Sequence, residues 1–583
     1  MSSPSTAVEV APGNATGVRG RHPAVQAVAS ALILWSTFPP ANWGWLVWAA
    51  LVPLFLLVPS RRSARSLYFG AWVGGFAFWG LAIQWIRLTD SSAWLAWLAM
   101  ALALSLFWPL FLALARLGVH RMRLPLMIAA PVVWVALEYV RAYVVTGFPW
   151  YYLAHSQYTV LPVIQVSDLT GSLGVSLLIA VVNAWLVDLF TLPLLRPTPQ
   201  GARLTPAQTL RLVTVLLAVS ATLGYGVFRL RTAEFRPGPR VALLQSGLVQ
   251  SLKDSKDYDE IVALYRRLIN RALSAAERPD LIVWPETSYP YGYVAIAPSL
   301  SRAELGRQLK AVSSSSTFTP EFRLQQRDSI AAELQGWTDL VGVPMLVGSL
   351  TYDHRPGGLL KFNSAILFQP GSRSPQFANK MHLVPFGEYV PLIETFPWLT
   401  ALTPYHGTHI PSLDRGRAPV WLTLGPYRLA AAICFEDTVP QVVRRFFSEA
   451  EDGRHPDILL NLSNDGWFHM SSEHEMHLAV SIFRAVENRV PLARAANTGV
   501  SAIVDGNGRV LQSLPTSKDG KYLEDVVSGI VPLDGRAGLY SRWGDWLGQT
   551  CLAVTVGLIP LSFVYPKFRR RGGGSIASHT HLS

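Results

Sequence analysis

Only two cysteines, Cys434 and Cys551, occur in 583 residues, and this scarcity excludes a disulfide framework. Charge is equally scarce. Asp, Glu, Lys and Arg make up 15% of the chain and hydrophobic residues 50%, whereas soluble domains run at about 25% charged. A wholly soluble protein is therefore excluded. Acidic residues are outnumbered, 38 against 50 basic, for a net charge of +12. Much of the excess flanks apolar runs, so it marks membrane topology and no nucleic-acid partner is expected.

What the chain does have is long apolar runs. A bilayer core about 30 Å thick takes roughly 20 apolar residues in helix. Seven such runs lie near 24–39, 44–59, 68–86, 92–115, 124–146, 172–195 and 210–230, and an eighth near 546–565. The first follows Arg19 and Arg21 as a signal peptide would, but no small-residue cleavage site comes after it, and it is expected to be retained. Alternate connections carry Arg61, Arg62 and Arg65, then Arg116, Arg121 and Arg123, then Arg196, Arg203 and Arg211, and Lys567 to Arg571 follow the last run. The opposite short connections hold only Arg87. Basic residues gather in cytoplasmic loops. The reading is a cytoplasmic tail (1–23), a seven-span membrane domain (24–230), an outer domain (240–535), a closing span (546–565) and a cytoplasmic tail (566–583). Glu138 and Arg141, three apart on the fifth run, are expected to pair with each other. FPWYY at 148–152, with Trp150, reads as an aromatic belt lining a lipid entry.

The outer domain alternates short apolar runs with helical patterns. VALLQSGL (241–248), DLIVWPE (280–286), PMLVGSL (344–350), NSAILF (363–368), RLAAAICF (428–435) and DILLNLSN (457–464) read as strands. Residues 257–277 and 472–489 read as amphipathic helices, and Asp-Gly and Asn-Gly at 505–508 as a hairpin. This predicts an α/β domain. Residues 299–327, with four serines in a row, read as a flexible surface insertion.

Three of these segments end in groups of distinct chemistry. DLIVWPE ends at Glu286, RLAAAIC ends at Cys434, and ANKMHLVPFGEYVP (378–391) carries Lys380. A thiol attacks an acyl carbonyl only as its thiolate, which needs a base or a cation beside it. Glu286 can take the proton. Lys380 and the backbone N–H of Phe435 can hold the oxyanion. Singly, each group also fits a plainer role: a capping carboxylate, a solvated ammonium, a core thiol. Spacing alone does not bring the three together. The loop 389–402, with Phe396 and Trp398, suits a lipid-facing lid or packing within the domain. HEMH at 474–477 is one residue short of a zinc-binding HExxH, and no metal is expected.

VWPET (283–287), NKMHLVPFGEYVP (379–391), ICFED (433–437) and NLSNDGWF (461–468) resemble the signature stretches of the nitrilase superfamily. With membrane runs on both sides, and with TGFPW (146–150) and QSLKD (250–254), the chain resembles the apolipoprotein N-acyltransferases of bacterial lipoprotein maturation. The resemblance implies a multi-pass α-helical membrane bundle of about eight spans plus an α/β nitrilase-like α-β-β-α sandwich. It implies a triad of Glu286, Lys380 and Cys434, with Glu388 and Glu436 in support, orienting the lysine and the incoming amine. The implied reaction is ping-pong: the cysteine takes an acyl chain from a phospholipid, typically phosphatidylethanolamine, and passes it to the α-amino group of a diacylglyceryl-cysteine apolipoprotein. No cofactor is implied, and the setting is the bacterial inner membrane with the catalytic domain periplasmic. Two positions depart from the family pattern: Phe435 stands where Tyr is common, and Asp254 where a Trp often follows QSLK. A membrane-tethered amidase releasing its thioester to water, and a scaffold or transporter carrying a dead domain, are the rival readings. Eight spans exceed what a tether needs, and the outer spans have almost no charge to line a translocation path.

Overall fold

The computed structural model describes residues 22–90, 93–193, 195–198, 201–248, 257–312, 318–402, 412–450 and 452–572. Most of both tails, and the QSLKD segment with Asp254, lie outside the described residues.

Among the described residues, four helices are long and apolar enough to cross a membrane: Ala93–Arg121, Ser172–Thr191, Pro206–Arg231 and Trp546–Val564. The run expected at 68–86 forms the 19-residue helix Ala64–Ala82, which is not among these four, and the remaining expected spans are shorter or interrupted. The runs expected at 24–39 and 44–59 form Pro23–Ser36 and Gly44–Phe55, too short to cross on their own. The run expected at 124–146 is α-helical over Leu126–Arg141 and then breaks before a short 3-10 turn, Val144–Thr146. Close packing holds the bundle together. Gly70 and Gly74 lie on helix Ala64–Ala82 against Pro23–Ser36, where a Cβ at Gly70 would come within 2.7 Å of the Ala24 backbone nitrogen. Small residues permit this approach where lipid supplies no hydrophobic drive between helices.

The α/β half is two sheets packed face to face. One has seven strands: Asp525–Asp534, Phe235–Gln245, Leu281–Val283, Met345–Arg355, Gly358–Phe368 and Gln376–Asn379 in spatial order, with Tyr289–Ile296 also pairing Met345–Arg355. The other has six: Val510–Leu514, Ser501–Val504, Leu492–Ala496, Ile458–Ser463, Tyr427–Ile433 and Trp421–Leu424. Side chains alternate between faces with period two. Val241 and Leu243 meet Leu429, Ala431 and Ile433 in the core between the sheets. Ala242 and Leu244 point outward, against helices Tyr258–Leu273 and Pro320–Val341. On the far side, Ala430 and Ala432 join helices Pro440–Ser448 and Glu473–Asn488 in a core continuous with the membrane bundle. The order of layers is helix, sheet, sheet, helix, and the bundle backs the last.

The expected strands and helices are present, with boundaries moved by a few residues. The insertion reading of 299–327 is corrected. Arg302–Val312 and Pro320–Val341 are helices, the second buried against the sheet through Ile330 and Leu334. The residues that obscured this in sequence, 313–317, lie outside the described set.

Candidate active site

Each proposed reactive group leaves the end of a strand. Trp284 follows Leu281–Val283 and is stacked between Tyr265, at 4.3 Å, and Trp337, at 5.9 Å. Pro285 then passes so close to Gly348 that any Cβ there would collide with its carbonyl. This fixes the direction in which Glu286 leaves the sheet. Lys380 follows Gln376–Asn379, its backbone N–H donating to Asn363 O at 2.8 Å. Cys434 ends Tyr427–Ile433 with φ +53°, a left-handed conformation rare for a residue with a Cβ. Strain of this kind persists where the surroundings impose it. Here Asn461 Nδ2 donates to the Cys434 carbonyl at 3.1 Å, and Arg494 donates to Asn461 Oδ1 at 2.6 Å.

Lys380 and two carboxylates form one buried cluster, and Cys434 lies near enough to feel the charges of Glu286, Lys380 and Glu388. Lys380 Nζ lies 3.2 Å from Glu286 Oε1 and 2.8 Å from Glu388 Oε1, and is only 1% exposed. Asn363 Nδ2 donates to the same two oxygens, at 2.7 and 3.2 Å. The backbone N–H of Asn464 donates to Glu286 Oε2 at 3.0 Å, and that of Val384 to Glu388 Oε2 at 2.8 Å. One ammonium is thus shared by two carboxylates. Burial alone would push the Lys380 ammonium down, but Glu286 and Glu388 outweigh it and hold it well above its ordinary value. The half-buried Cys434 thiol is pushed well up, first by burial and then by Glu286, with Lys380 pulling the other way. The resting sulfur therefore carries its proton. To act as a nucleophile, a thiol raised in this way needs a base that removes its proton.

Glu388 joins the Lys380 ammonium through Oε1 and the Val384 N–H through Oε2. Glu436 does not face an incoming amine: it is 1% exposed, and its carboxylate accepts the backbone N–H groups of Met381 at 2.5 Å, His382 at 2.9 Å and Ile433 at 2.8 Å. Those residues directly follow Lys380 or precede Cys434, so Glu436 ties the lysine loop to the cysteine strand. Burial raises its carboxyl to about 7, against the pull of those N–H donors. The Phe435 ring stacks on His382 at 5.9 Å.

Trp150 is not lipid-facing. It is 1% exposed and packs against Trp85 at 5.2 Å and His477 at 5.4 Å, where the bundle meets the α/β half. No hydrogen bond joins Glu138 to Arg141, and Glu138 Oε1 accepts from Trp134 Nε1 on the same helix at 3.0 Å. Arg141 donates to the carbonyls of Phe148 and Trp150, and Glu138 accepts from Leu153 N at 3.0 Å. Phe396 and Trp398 are exposed, at 44% and 64%, and the turn Pro397–Leu402 lies beside helix Ala93–Ser105. Packing within the domain does not describe them.

His477 belongs to a buried network. Its Nε2 is 2.8 Å from Asp437 and its Nδ1 is 2.9 Å from Arg494, which also donates to Asp465 at 2.7 Å. Asp465, Glu473 and His477 bring ligand atoms within 4.8 Å of one another. Both ring nitrogens are already engaged by protein groups, so the three do not form an open ligand set.

The comparisons with known proteins fit this arrangement. Residues 30–185 match the family model described as Apolipoprotein N-acyltransferase N-terminal domain, and residues 240–533 match Carbon-nitrogen hydrolase. The chain is 33% identical to an apolipoprotein N-acyltransferase of Geobacter metallireducens over 550 residues, covering 92% of this chain and 95% of the relative. This chain belongs to that family. It is also 28% identical to an apolipoprotein N-acyltransferase of Rhodopirellula baltica, over 93% of this chain and 98% of the relative. A third relative, apolipoprotein N-acyltransferase 1 of Treponema denticola, is 26% identical over 87% of this chain and 89% of its own length.

Asn363, Asn461 and Asn464 were not singled out by sequence reasoning. Two of them stand in NLSNDGWF and one opens NSAILF, but asparagine carries no reactive group to mark it.

Proposed function

We propose that the protein moves a fatty acyl chain from a membrane phospholipid onto the N-terminal amine of diacylglyceryl-cysteine apolipoproteins, through a thioester on Cys434. The observation that carries this is the Lys380 ammonium held between Glu286 and Glu388, with the Cys434 thiol pushed up by burial and Glu286 and pulled down by Lys380. Glu286 takes the thiol proton as sulfur attacks the phospholipid ester carbonyl. Lys380 and the Phe435 backbone N–H hold the resulting oxyanion. The intermediate collapses by breaking the ester C–O bond, and Glu286 returns the proton to the departing lysophospholipid oxygen. In the second half the lipoprotein amine attacks the thioester, Glu286 accepts the amine proton, and the thiolate leaves and is reprotonated. One base serves both halves.

In this reading the chain crosses the bilayer eight times, with both tails cytoplasmic and the catalytic domain on the periplasmic face of a bacterial inner membrane. The donor is phosphatidylethanolamine. The short helices Pro23–Ser36 and Gly44–Phe55 cross in combination with their flanking residues. Phe396 and Trp398 form an apolar lip against the membrane half, guiding acyl chains to the sulfur. Replacing both (Phe396→Ser, Trp398→Ser) should reduce turnover of a long-chain phospholipid at least tenfold more than turnover of a short soluble thioester, measured on the same preparation. Phe435→Tyr should leave the rate within about tenfold, or ~1.4 kcal/mol, because the position supplies a backbone donor and a ring face, which tyrosine retains.

The direct test incubates purified enzyme with labelled phosphatidylethanolamine and follows Cys434 by mass spectrometry. An acyl adduct that forms with lysophospholipid, and that a diacylglyceryl peptide discharges, is expected. An adduct that water clears equally fast without peptide would make the protein a hydrolase.

A further inference from the structure

The α/β half contains a second cavity, of about 450 Å³, lined by none of Glu286, Lys380 or Cys434. Its walls include Tyr258, Tyr289, Tyr291, Tyr352 and Phe318, and Arg323 reaches it from helix Pro320–Val341. Arg323 is 5% exposed. Its Nε donates to His354 Nε2 at 3.1 Å and one terminal nitrogen donates to Gln326 Oε1 at 2.6 Å. A guanidinium has five N–H donors, so three have no acceptor among the described residues.

The charge is also unbalanced. Elsewhere in the α/β half, buried arginines sit on carboxylates: Arg484 on Glu487 at 2.8 Å, Arg489 on Asp168 at 2.7 Å and Arg494 on Asp465 at 2.7 Å. Arg323 has no carboxylate within ion-pairing distance among the described residues. Acids in this part of the fold are otherwise engaged: Asp353, which acts on His354, pairs with Arg355, Asp259 accepts from the Tyr291 hydroxyl and Glu333 from that of Tyr289. His354, fully buried, accepts at Nε2 and so carries its proton on Nδ1, toward Gln308 at 3.0 Å. Burial and Arg323 push its imidazole down to about 4, and it stays neutral. The rings of Tyr352 at 4.9 Å and Phe318 at 5.5 Å lie under the guanidinium. Such contacts soften its burial but supply no counter-charge. A buried ion held without a partner of opposite sign is a costly arrangement.

We propose that this cavity is a ligand site for a small organic carboxylate, whose charge pairs with Arg323 and whose flat apolar body lies among the tyrosine and Phe318 rings. The planar fork matches a carboxylate edge, and one positive charge matches one negative. The volume falls within the roughly 300–1,000 Å³ of small-molecule sites.

The test uses the full-length enzyme in detergent, irradiated with 4-benzoylbenzoate or with its neutral amide, then digested and mapped by mass spectrometry. The acid should label the segments carrying Tyr258, Tyr291 and Phe318 at least tenfold more than the amide. Phenylacetate should compete. Arg323→Gln should cut labelling at least tenfold, with Arg323→Lys retaining part of it. Equal labelling by acid and amide, or labelling confined to peptides carrying Lys380 and Cys434, overturns the proposal. Stronger competition by phenyl phosphate than by phenylacetate overturns its choice of carboxylate. If Arg323→Gln does not fold, the acid-to-amide ratio on the unmodified enzyme decides.

Discussion

Glu286→Gln should lower acyl transfer by about 10²–10⁴-fold, the usual worth of a positioned general base, while making the Cys434 thiol more acidic. The two effects come from one charge. In the native site Glu286 is second only to burial in holding the thiol proton on, and Lys380 opposes it. Removing the carboxylate's charge leaves the ammonium's pull less opposed, so the pH midpoint for alkylation of Cys434 by iodoacetamide should move down. Labelling of Cys434 by phospholipid should nearly vanish at the same time. Glutamine is close to isosteric and keeps an oxygen for Asn464 N–H, so the fold should hold. Acyl transfer within tenfold of the native rate would remove Glu286 from the role of base. A midpoint that moves up would contradict the electrostatic account alone.

Lys380→Met should have the largest effect on stability. It leaves Glu286 and Glu388 facing each other across Asn363 with no cation, in a site that water barely reaches. Removing one partner of a buried ion pair costs about 3–5 kcal/mol, because the other charge stays buried and uncompensated. Urea unfolding of the detergent-solubilised enzyme measures it. Glu388→Gln added to Lys380→Met should restore part of the stability and none of the acyl transfer, since the oxyanion still lacks its cation. The single variant should also acquire a pH dependence of definite sign. Two carboxylates that close cannot both ionise easily, so one is raised above its unfolded value of about 4.3. The folded state then binds more protons than the unfolded one, and stability falls as pH rises through that window. A loss below about 1 kcal/mol would mean that the ammonium is not what balances these carboxylates.

How much of this was legible in the sequence depended on whether the signal was local. Strands such as DILLNLSN and RLAAAICF could be read because a buried strand is a short apolar run with polar ends, and the chemistry of Glu286, Lys380 and Cys434 marks them by residue type. Their meeting could not be read from spacing, since strands 281–283, 376–379 and 427–433 belong to two different sheets. The asparagines were invisible for a related reason: Asn461 matters through where its amide points, toward the Cys434 carbonyl. Glu436 was misread because a carboxylate two residues from a nucleophile looks like chemistry, whereas three backbone N–H groups claim it. Trp150 was misread because an aromatic cluster after an apolar run looks the same whether it meets lipid or another domain. Helix Pro320–Val341 was missed because the serine run before it masks its start, and only packing on the sheet reveals its apolar face.

The outer helical layer of the six-stranded sheet shares its core with the membrane bundle, residues such as Val443, Ile482 and Phe483 joining Trp150 and Ile164 in one cluster. The catalytic half is therefore no detachable module. Cut free of its helices at residue 240, it would leave an oily slab bare on one side and clump in water. The sandwich is accordingly expected to reach its finished form together with the helices that cover this face.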